Sequence, residues 1–263
     1  MFKNYLKVAF RYLLRHKGYS LINILGLAVG ITVCMLIMVF VRSEFSYDKF
    51  HANAKNIYRI WQREKADGKE FINTETSLAA APALQAAFPE VATTCRVYSF
   101  KTLVKNSDNS FYESVTMVDN SFFSMFSFNL SDADRLKPFP SVNAVILTPV
   151  MAKKYFGTAA AVGKNIELQL GDDKVLFTVA GIAKESPAES SVKYDCLISF
   201  DNAKYLFRPR MFTNWFNVFT ESYVLLHNDV NVASLEKKFP AMLKQQLGEE
   251  YGKEEYDLHL QPI

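Results

Sequence analysis

The run Gly157-Thr-Ala-Ala-Ala-Val-Gly163-Lys164-Asn165 is the stretch whose residue types come nearest to phosphate chemistry. A phosphate loop needs four residues between its glycines and a Ser or Thr after the lysine to hold magnesium. Here five residues separate the glycines, and Asn165 stands where the hydroxyl should be. The order is also reversed: this run follows a helical pattern and precedes a strand-like one, so nucleotide binding is excluded. The four histidines, His16, His51, His227 and His259, are far apart and read as single surface or core residues. Glu249, Glu250, Glu254 and Glu255 are spaced like solvated helix and loop ends. No GxSxG, HExxH, EF-hand or CxxC pattern is present, and nothing composes a catalytic or metal constellation. Cys95 and Cys196 lie 101 residues apart. A bridge between them is compatible with an oxidising compartment, but two buried thiols are the expectation.

Chemistry being absent, the elements carry the information. Residues 19–41 read YSLINILGLAVGITVCMLIMVFV, 23 positions without a charge, 13 of them Leu, Ile, Val or Phe. As a helix this spans about 34 Å, enough for a hydrocarbon core of about 30 Å. The preceding 18 residues carry Lys3, Lys7, Arg11, Arg15 and Lys17 and no acid; the following flank has Arg42 ahead of Glu44 and Asp48. The positive-inside rule therefore places the N-terminus in the cytoplasm and the remainder outside it. A cleaved signal peptide is disfavoured by the length of the apolar run and by the lack of a small-x-small site after Val41.

Lys3, Lys7, Arg11 and Arg15 recur every four positions, opposite Phe2, Tyr5, Leu6, Ala9, Phe10 and Leu13. Residues 1–18 are read as an amphipathic helix lying in the headgroup layer, with membrane lipid as its partner. These residues also explain a pI near 8.6: the rest of the chain has 25 basic and 27 acidic residues. There is no basic footprint for nucleic acid. Gly26 and Gly30 form a small-xxx-small pair that suits a close helix–helix contact. Residues 42–55 read as a short, glycine-free stalk, with Tyr47, Asp48 and Phe50 near the bilayer and Tyr58 and Arg59 in the strand it enters.

Beyond the stalk the chain alternates strand and helix patterns. Strands are expected at 56–65, 70–73, 91–104, 110–118, 144–147, 166–170, 175–183, 192–200, 222–226 and 256–260. Helices are expected at 77–88, 149–155 and 232–247, with a short aromatic piece at 120–126 and hairpin turns at Asp67-Gly68 and Gly171-Asp172-Asp173. The class is α+β: one transmembrane helix, then an extracytoplasmic domain of split βαβ type in two subdomains.

Six segments, in order, resemble one family. SYDKFHANAKNIYRI (46–60), AAFPEV (86–91), VDNSFFSMFSF (118–128), AVILTPVMAKKYFG (144–157), AVGKNIEL (161–168) and VAGIAKESPAESSVKYDCLISF (179–200) are similar to MacB-like, FtsX-type ABC transporter permeases, across the first helix and the periplasmic core domain. Leu130-Ser131-Asp132-Ala133 departs from the Gly-Asp turn usual there. The resemblance implies a periplasmic core domain over 56–263, with a porter-like part from about 45–95 and 190–263 and an inserted part over about 96–189. It implies further membrane helices after Ile263, so that the chain reads as the N-terminal fragment of a permease. It implies a bacterial inner-membrane location, no enzyme activity or cofactor in this chain, and ATP with magnesium bound by a separate ABC ATPase subunit. Further implied partners are the remaining permease helices or a second permease copy, and an envelope adaptor or lipoprotein. The function so implied is coupling of ATP-driven helix motion to export or to handling of an envelope partner. A membrane-anchored sensor domain is the alternative; it requires a second membrane helix leading to a signalling module.

Overall fold

The computed structural model describes residues 2–66, 68–107, 109–158, 160–252 and 255–263. It divides into two compact units, Met1–Tyr47 and Asp48–Ile263.

In the first unit, α1 (Phe2–Arg15) and α2 (Lys17–Glu44) are separate helices. The break is at His16, whose backbone (φ −115, ψ 55) is not helical. The Ser20 hydroxyl then donates to the Leu13 carbonyl at 3.1 Å, satisfying a carbonyl freed by the break. Lys3, Lys7, Arg11 and Arg15 are exposed on α1. Lys17 opens α2 instead, so the helix expected over residues 1–18 ends at Arg15. α2 is the one helix among the described residues long and apolar enough to cross a membrane, with a mean hydropathy of 2.8. The side chain of Phe2 lies outside the described residues.

The second unit is built on one 11-stranded sheet. Its strands are β1 (Ile57–Ala66), β2 (Lys69–Asn73), β3 (Val91–Asn106), β4 (Asn109–Val118), β5 (Leu130–Ser131), β6 (Ala144–Leu147), β7 (Asn165–Leu170), β8 (Asp173–Ala183), β9 (Cys196–Ser199), β10 (Glu221–Leu226) and β11 (Glu255–Pro262). The main order is β11-β1-β10-β3-β4-β9-β6-β8-β5, with β2 on β1 and β7 against β3 and β8. α3 (Ala80–Ala87), α4 (Phe122–Met125), α5 (Pro149–Phe156), α6 (Val232–Glu236) and α7 (Phe239–Leu247) complete it. α3 connects β1 to β3 across β10, and α6 with α7 connect β10 to β11 across β1, which is the split βαβ arrangement.

Local chemistry accounts for the helix ends. α5 starts at Thr148, whose hydroxyl accepts from the Met151 N–H at 3.3 Å, has Pro149 in its first turn, and stops at Gly157 with φ 70. The expected single helix at 232–247 is two, because Pro240 cannot donate to the preceding turn and so begins a helix, α7, of its own. The expected strand at 192–200 is reduced to β9. Lys193 Nζ instead donates to the carbonyls of Pro187 and Ala188, and the Ser190 hydroxyl to that of Val192, which curls the chain before it reaches the sheet. Gly68 turns the β1–β2 hairpin with φ 73; its companion Asp67 lies outside the described residues.

Three buried clusters fill the unit. One joins α3, α6 and α7 to β1, β10 and β11 around Leu84, Phe239 and Leu243. A second is largely aromatic, around Phe122, Phe126, Phe128 and Tyr223. The third lies under β4, β6, β7 and β8 around Val104, Leu168 and Phe177. β3 contributes to all three, through Val91, Cys95 with Val97, and Val104, so the boundary expected near residue 95 falls inside a continuous strand.

Candidate functional site: the clamp at the domain entrance

Beyond α2 the N-terminal unit ends in a turn, with Tyr47 N–H donating to the Glu44 carbonyl at 3.5 Å, and the next residue is held elsewhere: Asp48 N–H donates to the Glu189 carbonyl at 2.9 Å. Asp48 is 4 % exposed and takes a left-handed backbone, φ 54. Aspartate tolerates that conformation when its short side chain is hydrogen-bonded, and here its Oδ1 accepts from Ser191 N–H at 2.9 Å. The turn continues with His51 N–H donating to Asp48 O at 3.2 Å.

His51 is 3 % exposed. Its Nδ1 accepts from the Ser127 backbone N–H at 3.0 Å, which assigns the ring proton to Nε2. Nε2 lies 3.8 Å from Asp48 Oδ1 and has no hydrogen-bond partner. The ring is enclosed by Phe50, Phe126 and Phe128 at centroid distances of 4.0, 5.1 and 5.0 Å. Burial holds its pKa at about 4, down from 6.5, against the opposing pull of the Asp48 carboxylate. Ala52 N–H donates to the Ser127 hydroxyl at 2.8 Å. Ser127 thus grips the entering chain with both its backbone and its side chain.

The wall that receives His51 is made rigid from behind. Phe122 stacks on Phe128 at 5.3 Å, and Tyr194 meets both edge-on at 5.9 and 5.1 Å. The Arg135 guanidinium donates to the carbonyls of Phe128 and Phe123 at 2.6 Å each and of Phe126 at 3.0 Å. Those carbonyls lie within and just after the one-turn helix α4, with no ladder to satisfy them, so a five-donor side chain is well suited to the position. Asp132, with φ 62, supplies the turn where the departure from a Gly-Asp sequence stood.

The clamp therefore gathers three segments distant in sequence: 48–52, 122–128 and 187–194. The expected stalk is corrected accordingly. Residues 42–44 are helical, and Asp48 and Phe50 are part of the folded outer unit. Tyr58 and Arg59 lie within β1, with Tyr58 half-buried and Arg59 donating to the Thr74 carbonyl at 3.1 Å and pairing with Glu221 at 3.3 Å. Tyr47 remains with the N-terminal unit, 40 % exposed. Around Gly26 and Gly30, apart from adjoining residues and the helix's own backbone, nothing lies within 4 Å of where a Cβ would stand. Cys95 and Cys196 are free and fully buried, and burial pushes both thiols up. Among the described residues no group of His, Cys, Asp and Glu could hold a metal ion. Glu249 and Glu250 lie on an exposed turn; Glu254 and the Glu255 side chain lie outside the described residues. His51, Ser127, Ser191 and Arg135 were not singled out by the sequence. His51 looked like one isolated histidine, and the other three act largely on or through backbone groups, which leaves no residue pattern.

The chain thus pairs a helix long and apolar enough to cross a membrane with a separately folded α+β unit that begins at Asp48. The model of the MacB-like periplasmic core domain matches residues 20–242, and the chain belongs to this family. No curated protein matches it in sequence. Among solved structures, a domain of a protein assigned as a permease from Porphyromonas gingivalis is similar, with a TM-score of 0.70 at 21% identity, covering 81% of this chain and 92% of that one. The periplasmic region of MacB from Actinobacillus actinomycetemcomitans has a TM-score of 0.53 at 15% identity, covering 80% and 89%. The extracellular domain of the noncanonic ABC-type transporter YknZ from Gram-positive bacteria has a TM-score of 0.51 at 16% identity, covering 78% and 100%. The family is a component of ABC transporter permeases, which work with ATPase subunits. The chain is thus membrane-anchored, with an extracytoplasmic domain.

Proposed function

We propose that this chain is the permease component of an ABC system in a bacterial inner membrane, N-terminus cytoplasmic, and that its outer domain is driven by motion of the membrane helices. ATP and magnesium are bound by a partner ATPase subunit; this chain supplies neither nucleotide site nor catalysis. The remaining permease helices or a second permease copy complete the membrane part, and Gly26 and Gly30 are where another helix packs. An envelope adaptor or lipoprotein is the outer domain's partner. The observation that carries the reading is the shortness of the junction: α2 ends at Glu44, and after the turn bond from Tyr47 to Glu44 the next residue, Asp48, is bonded within the outer unit. A chain with no free residue transmits displacement, whereas a flexible one absorbs it.

The test inserts Gly-Ser-Gly-Ser between Tyr47 and Asp48 in the complete permease bound to its ATPase. Both units stay folded because no residue of either is replaced. The expected result is loss of most of the ATP-dependent change in distance between spin labels at Ser110 on two outer domains, with basal ATP hydrolysis retained. An unchanged distance response would reject mechanical coupling through this junction.

A further inference from the structure

Residues 202–220 contain no acid; they carry Lys204, Arg208 and Arg210 and six aromatic side chains. In the fold this segment leaves the sheet after β9 and forms a surface turn, Pro209–Phe212. Arg208 and Arg210 are exposed on it. Among the described residues neither guanidinium is in an ion pair. The same segment lines a groove of about 540 Å³ through Phe212, Thr213 and Trp215, together with Leu78, Pro82 and Ala83 from around the start of α3, and Arg96. Arg96 is already neutralised: it donates to Asp119 through Nε at 2.9 Å and Nη2 at 2.7 Å and lies over the Phe200 ring. On the turn that ends at Phe212 the free positive charge is therefore that of Arg208 and Arg210, four and two residues before that ring.

We propose that this groove binds an anionic amphiphile, with its apolar tail between Phe212, Trp215, Leu78 and Pro82 and its negative headgroup at Arg208 and Arg210. The volume is that of a site for one small molecule and not of a flat protein contact. The small side chains of Pro82 and Ala83 keep it open. Unpaired guanidinium groups on the turn that leads into the groove recognise carboxylate or phosphate by charge-assisted hydrogen bonds. Groove and headgroup site stand apart from the clamp, and this inference does not depend on mechanical coupling.

Trp215 is itself a reporter, because the chain has one other tryptophan, Trp61, stacked on His259 at 4.3 Å. The outer unit has its own sheet and cores, and the similar periplasmic region of MacB and extracellular domain of YknZ were crystallised as isolated domains, so residues 45–263 carrying Trp61→Phe are the material for the test. Lysophosphatidylglycerol and lysophosphatidylcholine, both below their micelle concentrations, share a tail and differ in headgroup charge. The expected result is a saturable shift of Trp215 emission with the anionic lipid and roughly tenfold weaker binding of the zwitterionic one, as for loss of a charge-assisted contact. Arg208→Gln with Arg210→Gln should remove that preference at an unchanged thermal midpoint, and Ala83→Leu should block both lipids. Equal affinity for the two lipids, no saturable shift, or an unaffected double variant would overturn the proposal. Tighter binding of a poly-glutamate peptide than of the anionic lipid would overturn it in favour of an acidic protein partner. The coupling experiment reads motion in the complete permease, so each idea fails separately.

Discussion

His51 is stable only as a neutral ring. A proton on Nδ1 would face the Ser127 N–H that this nitrogen now accepts, inside a shell of three phenylalanines. In the unfolded chain the same histidine titrates at its ordinary value, near 6.5, and in the fold at about 4. The folded value is the lower one, so the unfolded state binds the proton first. Stability is therefore complete above pH 6.5 and falls as the pH drops through 6.5 toward 4, below which it levels off. A shift of this size is worth roughly 3 kcal/mol when fully developed. Urea unfolding of residues 45–263 at pH 7 and pH 4 should show this loss in the wild-type sequence and a loss smaller by most of that amount in His51→Gln. Equal losses in the two proteins would mean that the ring is not held neutral as described. Arg135 acts at the same scale but without titrating: it holds three carbonyls in place and so shapes the wall that keeps His51 dry.

Elements were legible where one property repeated along the chain. α2 followed from 23 uncharged positions, α5 from Pro149 in its first turn with Gly157 in the loop after it, and β1, β3 and β4 from apolar residues bounded by turn residues. What failed was decided by single residues competing with a pattern. Pro240 divided an amphipathic run in two, and Lys193, bonded to the carbonyls of Pro187 and Ala188, stayed out of the strand expected to begin at 192. The clamp was not legible, because its bonds join residues 75 and 143 positions apart, Ala52 to Ser127 and Asp48 to Ser191. No local periodicity encodes such a pairing, although the segments meeting there are three of the six that carried the family resemblance. α2 also yields a test of its own. Its Gly26 and Gly30 have open space where a side chain would stand, so replacing both by Leu strains nothing within this helix and obstructs only a helix packed against it. In the complete permease with its ATPase, the Gly26→Leu, Gly30→Leu variant should lose much of its coupled ATP hydrolysis while the outer domain keeps its melting temperature. Full coupled activity would show that this face meets lipid and not another helix.

At the scale of the whole outer unit, the arrangement of β3 governs how a displacement entering at Asp48 would spread. β3 has 16 residues, about 53 Å of extended chain at 3.3 Å per residue. One end pairs with β10 and the other with β4 and β7, so a single strand runs through both of the parts expected from the resemblance. The aromatic cluster behind the clamp draws on Ile57 of β1, Cys95 and Val97 of β3, Leu197 of β9 and Tyr223 of β10. It is shared by both ends of the sheet. Two lobes joined by a loop would unfold separately, whereas lobes sharing a strand and a core cannot part without exposing that core. Residues 45–263 should accordingly melt in one calorimetric transition. Leu243→Ala and Leu168→Ala each empty a fully buried site, in different clusters, and each should cost about 2–5 kcal/mol. Both should lower the same transition. If Leu168→Ala instead splits off an early transition and leaves a later one at the original temperature, the inserted part is an independent domain, and a push at the clamp need not reach it.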